Sequence, residues 1–282
     1  MPVVLPTSLE EAVAALGARP DALVLSGGTD LMVEVNDGRR RLEHVVALRH
    51  VNELRGWHVD GNELVLGAAT TYTDLLAPEL KALAPALAAA ARTVGSPQIR
   101  NTGTVGGNLG TASPAGDALP VLVALRATVE ARGAGGSRLV PIDQFFLAPK
   151  RNSLEPGELI ATVRVPVRRG PQDYLKVGVR NAMVIAVASL AFAVDLDERS
   201  IGVGMGSVGP TPLPASDAAA WLAGQLSWRD DGITLEDPDH LHRFGELVAA
   251  AAQPIDDHRS TAAYRRHAVA VMARRALRRA LT

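Results

Sequence analysis

The chain has 282 residues, enough for two domains at roughly 100–200 residues each. Hydrophobic residues make up 47%, which supports a packed core, while a net charge of -1 and 4% aromatics argue against nucleic acid or an acidic membrane surface as a partner. The absence of cysteine excludes disulfides, a cysteine nucleophile and thiolate-held iron–sulfur clusters within this chain. The start, Met1 to Pro6, is short and interrupted by proline, unlike a secretory leader. No apolar run approaches the ~20 residues that span a bilayer, so a cytoplasmic protein is expected.

In chain order, Val3-Val4-Leu5 reads as a short strand. Thr7 or Ser8 is placed to cap a helix through Leu16, with Glu10 and Glu11 in its first turn, where the helix dipole favours acid. A buried strand is expected at 22–25, then a turn through Ser26-Gly27-Gly28-Thr29-Asp30, a short apolar segment to Val35, and a strand at 44–48. Asp60-Gly61-Asn62 between two apolar runs predicts a hairpin over 57–66. Helices are expected at 71–76 and 85–94, a polar glycine-rich loop from Gly95 to Gly116, and a helix at 117–125. Short strands follow at 128–131, 138–141 and 159–165, then a linker, Pro166 to Pro171. Beyond it, 185–194 and 201–205 pair as strands, and helices occupy 215–226, 241–252 and 260–281. Six arginines lie on the last of these, from Arg265 to Arg279, and are read as a solvated or subunit-facing side.

Two segments carry the chemistry. Gln98-Ile99-Arg100-Asn101-Thr102-Gly103-Thr104-Val105-Gly106-Gly107-Asn108 joins adjacent glycines, which admit close backbone approach and positive φ, to the side chains of Thr104 and Asn108. Successive N–H groups in such a turn form a nest for anions such as pyrophosphate. The run continues Thr111-Ala112-Ser113-Pro114-Ala115-Gly116-Asp117, where Asp117 is positioned to cap the next helix or accept hydrogen bonds from a ribose. Ser26-Gly27-Gly28-Thr29-Asp30 repeats the chemistry at a strand end, where α/β sheets bind ligands. By composition alone, either run also suits a plain loop of small residues. Gly204-Met205-Gly206-Ser207-Val208-Gly209 fits the GxGxxG fingerprint, but Pro210-Thr211-Pro212 follows where a helix has to begin.

The two loops together resemble the FAD-binding subunit, or FAD domain, of xanthine dehydrogenase and related molybdenum hydroxylases. Ser26 to Leu31 is similar to the first flavin loop of that family, and Gln98–Asn108 with Thr111–Asp117 to the second. The likeness continues at Leu154 to Ile160, at Tyr174-Leu175-Lys176-Val177, at Val208 to Pro212 and at Tyr264-Arg265-Arg266-His267, so it covers nearly the whole chain. The resemblance implies that Val24, Leu25, Ser26, Gly27, Gly28, Thr29, Asp30 and Leu31 wrap the pyrophosphate of FAD, and that Thr104, Val105, Gly106, Gly107 and Asn108 complete the site. It places Ser113 and Asp117 on the cofactor, Asp117 toward the adenosine, and Ile160 and Lys176 in the flavin pocket. There a lysine cation suits the anionic reduced flavin. No catalytic side chain and no metal ligand is expected.

The fold implied is α+β: a two-lobed FAD-binding domain of the vanillyl-alcohol-oxidase type over 1–168, with lobes of about 1–56 and 57–168, and a C-terminal domain over 169–282. That second domain is expected to hold a three-stranded antiparallel sheet packed with helices. The implied function is electron transfer. A small subunit with [2Fe-2S] clusters and a large subunit with the molybdenum cofactor are the partners, and NAD, oxygen or another molecule is the acceptor. A self-contained FAD oxidoreductase and a non-catalytic scaffold subunit are the alternatives.

Overall fold

A computed structural model describes residues 3–281; Met1 and Pro2, the start of the segment read against a leader, and Thr282 lie outside it. The small N-terminal sheet is parallel and three-stranded, with Val45–Ala47 between Val3–Val4 and Leu23–Leu25. The helix Leu9–Ala18 packs on it through Ala12 and Leu16. Ser8 is its cap, accepting from the N–H of Glu11 at 3.1 Å, while the Glu11 carboxylate reaches back to the N–H of Thr7 at 2.7 Å.

A five-stranded antiparallel sheet follows, in the order Trp57–Asp60, Glu63–Gly67, Leu159–Pro166, Thr128–Gly133, Gly136–Pro141. The expected hairpin turns at Gly61, whose φ of 60° suits glycine. The third sheet is antiparallel and four-stranded, which corrects the three strands expected: Leu213–Pro214 adds to Gln172–Val177, Ala188–Asp195 and Ser200–Gly206. The added strand is two residues long and follows a proline turn, so no periodicity announces it. A separate hairpin, Leu226–Trp228 with Ile233–Leu235, begins where a helix was expected to end.

The middle of the third sheet faces two cores. Along Ala188–Asp195, Ala191 and Ala193 join the core of the N-terminal sheets; Leu190, Phe192 and Val194 pack under the helices Asp239–Ala251 and Ala262–Ala280. Strand alternation produces this division, with small residues on one face and large ones on the other. The helix Leu119–Ala124 lies directly on the small-residue face. An added Cβ at Gly202 would sit 1.9 Å from the Ala124 carbonyl oxygen, and one at Gly204 2.0 Å from that of Pro120. Gly204 of the GxGxxG run thus serves close helix-on-strand packing, as does Gly202 just before the run. Arg265 corrects the reading of a solvated basic helix. It is 4% exposed and donates to the carbonyls of Val187 and Ser207 at 3.0 and 2.6 Å and to Asp257 at 2.6 Å.

Among the described residues, no helix is long and apolar enough to cross a membrane.

Candidate functional site

A cleft of about 590 Å³ runs between the small sheet and the five-stranded sheet. One wall is the C-terminal end of Leu23–Leu25 and the loop Ser26 to Asp30, which leads into the helix Leu31–Asn36. Val24 is accordingly 38% exposed, not buried as expected, because its strand forms a wall of the cleft. The opposite wall is built from residues 104–117 and 150–160.

The two glycine segments do different things. The expected loop from Gly95 to Gly116 contains two short helices, Pro97–Thr102 and Val105–Thr111. Thr104 caps the second, accepting from the N–H of Gly107 at 2.9 Å. The N–H of Val105 goes to the Thr70 carbonyl and that of Gly106 to the Ala68 carbonyl, at 3.0 and 2.9 Å. These donors are therefore satisfied within the protein, and Gly106 and Gly107 have no positive φ, so this segment is not a nest. Gly106 is required for contact: its Cβ would lie 2.6 Å from that of Ala68. The first loop is the open one. The backbone N–H groups of Gly27, Gly28, Thr29 and Asp30 have no partner among the described residues, and Gly28 turns the chain at φ 72°. Four consecutive free donors at a strand end, with a glycine in the left-handed region, form a concavity of the kind that suits an anion. Gly27 itself sits against the second segment, where a Cβ would fall 1.9 Å from the Thr102 carbonyl oxygen. The Ser26 and Thr104 hydroxyls meet across the walls at 3.0 Å.

Of the residues expected at the site, Val24 to Leu31, Thr104, Gly106, Gly107, Asn108, Ser113, Asp117 and Ile160 line the cleft. Val105 does not; it is fully buried in the core behind it. Lys176 does not either, and its ammonium is not free: it donates to Asp117 Oδ2 at 2.7 Å and to the Thr93 carbonyl at 3.3 Å. Asp117 caps no helix, since the following one starts at Leu119 with no side-chain cap. Instead its other oxygen accepts from the Tyr174 hydroxyl at 2.8 Å. Burial raises the Asp117 carboxyl above its ordinary range, and the nearby Lys176 ammonium opposes that rise. Burial likewise pushes the Tyr174 and Tyr72 phenols up, with the Asp117 charge adding to it. The strand Gln172–Val177 thus grips a cleft carboxylate from behind with two side chains spaced i, i+2 on one face.

Asn108 Oδ1 is buried without a hydrogen-bond partner, on the cleft lining, where a ligand N–H or O–H would satisfy it. Sequence reading missed Tyr72, Ile99, Leu154, Met183, Val184 and Ile185 as apolar lining. It also missed the charged rim of Glu34, Arg40 and Lys150. Nothing local marks these residues; they come together through contacts distant in sequence. Among the described residues, no cluster of three or more His, Cys, Asp or Glu is arranged to hold a metal ion.

The cleft's size, its row of free backbone donors and its orphaned amide oxygen suit a phosphate-bearing ligand with a polar ring or ribose. Comparison with known proteins agrees. Residues 1–168 match the family described as the FAD binding domain in molybdopterin dehydrogenase, and residues 173–280 the CO dehydrogenase flavoprotein C-terminal domain. The chain is 32% identical over 275 residues to the glyceraldehyde dehydrogenase medium chain of Sulfolobus acidocaldarius, covering 96% of this chain and 95% of that one. It is 33% identical to the nicotinate dehydrogenase FAD-subunit of Eubacterium barkeri over 231 residues, 78% of each. In structure it is similar to a chain of a cyanide-inactivated Cu,Mo-CO dehydrogenase crystal structure, with TM-score 0.89, 30% identity, and 99% and 96% of the two chains covered.

Proposed function

Because the chain belongs to the family of FAD-binding subunits of the molybdenum hydroxylases, we propose that it is the electron-relay subunit of a heteromeric oxidoreductase. In this reading electrons enter from a [2Fe-2S] cluster of a small partner subunit, in a complex whose large subunit carries the molybdenum cofactor. They leave to NAD, oxygen or another acceptor, in the cytoplasm. One observation carries the relay over a self-contained enzyme: the relatives matched along most of their length are a dehydrogenase medium chain and an FAD-subunit, parts of larger assemblies, and these 282 residues hold no cysteine, so a cluster feeding the cleft would be held outside them. Two-lobed architecture of the vanillyl-alcohol-oxidase type, with FAD between the lobes and a division near residue 168, is part of the same proposal.

FAD, when bound, supplies the chemistry of accepting and releasing electrons. The residues present fit it. The free N–H groups of Gly27 to Asp30 hold the pyrophosphate, and Thr104 and Ser26 fix the loop that presents them. Asn108 Oδ1 accepts a hydrogen bond that the protein leaves unmade. Asp117, held by Tyr174 and Lys176, presents its remaining acceptor capacity to a cofactor hydroxyl or ring N–H. Tyr72, Ile160 and Leu154 supply apolar lining that excludes water. Lys176 would not act as a free cation toward the flavin, because it is paired with Asp117 behind the cleft lining. No side chain of this chain has to act as acid or base.

Stopped-flow absorbance tests the relay. The isolated, FAD-loaded chain is expected not to be reduced by purines, aldehydes or N-heterocycles. Flavin reduction should appear once a cysteine-rich small subunit and a molybdenum subunit are added. Rapid bleaching of the isolated chain by such a substrate would replace the relay with a self-contained oxidoreductase.

A further inference from the structure

The two walls of the cleft touch at three points with a regular spacing on the small-sheet side. Ser26 meets Thr104 at 3.0 Å, Asp30 Oδ2 accepts from the Thr111 hydroxyl at 3.2 Å, and Glu34 Oε1 meets Lys150 Nζ at 2.6 Å. Residues 26, 30 and 34 follow one another by four, and the last two lie at the start and in the body of the helix Leu31–Asn36, on one of its sides. All six residues line the cleft.

The outermost contact differs from the other two in being ionic and in being anchored on its far side. Lys150 occupies the turn between Phe146–Ala148 and Arg151–Asn152 at φ 57°, a left-handed conformation that a lysine adopts at a cost. Its backbone N–H donates to the Ala112 carbonyl at 3.0 Å, and Asn152 Nδ2 to the Gly110 carbonyl at 2.9 Å. The turn is thereby fixed to the end of the helix Val105–Thr111, whose first turn begins at Thr104. On the opposite wall, Arg40 Nη1 also reaches Glu34, at 3.4 Å. The hydrogen bond from Lys150 holds the Glu34 carboxyl below its ordinary range, so the contact is charged at neutral pH.

We propose that Glu34 and Lys150 form a clasp across the mouth of the cleft, which must open for the cofactor to leave and so sets how long it stays bound. The proposal rests on FAD as the ligand but assigns a role to two residues that contribute none of the free donors described above. The clasp is a partly exposed ion pair, with side chains 22% and 58% exposed, so its effect is modest and sensitive to salt.

The test is the rate of FAD release from the holoprotein into excess buffer, followed by the rise of flavin fluorescence. K150M keeps the stem and the cost of the turn conformation while removing the charge. At low salt, K150M and E34Q are expected to release FAD roughly two- to five-fold faster than wild type. Raising salt to about 0.5 M should bring wild type up to the rate of K150M while leaving K150M nearly unchanged. R39M, which removes an equal charge from the exposed Arg39–Asp37 pair outside the cleft lining, should release at the wild-type rate. Wild-type rates in K150M and E34Q, or a wild-type rate that does not rise with salt, would overturn the clasp. Failure of the apoprotein to take up FAD at all would instead overturn the cofactor reading.

Discussion

Gly27→Ala is the sharpest perturbation of the cleft, because a single methyl group collides there with backbone. The new Cβ would lie 1.9 Å from the Thr102 carbonyl oxygen and 2.7 Å from its carbon, where ordinary contact begins near 3.4 Å, so the loop has to retreat by roughly 1.5 Å. Nothing flexible stands in the way that might yield instead. Retreat pulls Ser26 from Thr104, a contact now at 3.0 Å, and carries the free N–H groups of Gly27 to Asp30 away from the opposite wall. Overpacking costs about 1–3 kcal/mol and a lost hydrogen bond about 0.5–1.5 kcal/mol. The apoprotein escapes most of this by letting the loop move, whereas the bound state has to restore the loop. The cost therefore falls on binding: about 2–4 kcal/mol, or roughly 30- to 700-fold in FAD affinity at 1.4 kcal/mol per tenfold. Fluorescence titration of apoprotein with FAD measures the loss, and urea unfolding of the same preparation should show a much smaller change. A folded G27A protein binding FAD within threefold of wild type would refute the argument that this contact holds the donor row in place.

Asn108→Leu separates ligand binding from stability. Removing an unpaired buried amide oxygen should stabilise the apoprotein by about 1 kcal/mol in urea unfolding while weakening FAD binding about tenfold; unchanged affinity would mean that the oxygen faces no cofactor group. Arg138→Met tests a charge pair on the five-stranded sheet, where Arg138 bonds both oxygens of Glu158, at 2.8 and 2.6 Å. Arg138 lowers the Glu158 carboxyl from its ordinary 4.5, so the pair's contribution is full above that pH and disappears as pH falls through the lowered folded value. Wild type should exceed R138M by about 1 kcal/mol at pH 7, the discount reflecting the part-exposed arginine, and the gap should narrow as acid protonates Glu158; a gap that does not change with pH would assign it to packing and to the Arg138 hydrogen bond with the Ser153 carbonyl.

The sequence revealed those parts of the fold that depend on neighbours along the chain. Asp60-Gly61-Asn62 between alternating runs predicts its hairpin from turn chemistry alone, and the buried stripe Val269, Met272, Ala276, Ala280 follows from helical period. The segment 105–111 was misread because its glycines have poor helix propensity. What makes it helical is a cap by Thr104 and two carbonyls, those of Ala68 and Thr70, supplied from more than thirty residues earlier. Arg265 reads as solvent-facing because nothing local shows that the carbonyls of Val187 and Ser207 await it. At the site, the lining glycines and Asn108 were visible as a motif. The partnership of Asp117 with Lys176, 59 residues apart, and of Glu34 with Lys150, 116 apart, was not. Such pairs are fixed by sheet register and by the approach of two walls, which no window of sequence contains.

The strand Ala188–Asp195 contributes to two cores at once, and this limits how the protein can be recombined. A chimera of two relatives joined near residue 170 would unite the helix Leu119–Ala124 of one parent with the strand Ser200–Gly206 of the other. Those surfaces meet at backbone distance, through Gly202 and Gly204, and one extra methyl group at either glycine would force them apart. Exchange of the C-terminal portion between relatives should therefore succeed where both parents carry glycine at these two positions. Where one does not, the helix would have to be exchanged along with the strands beneath it.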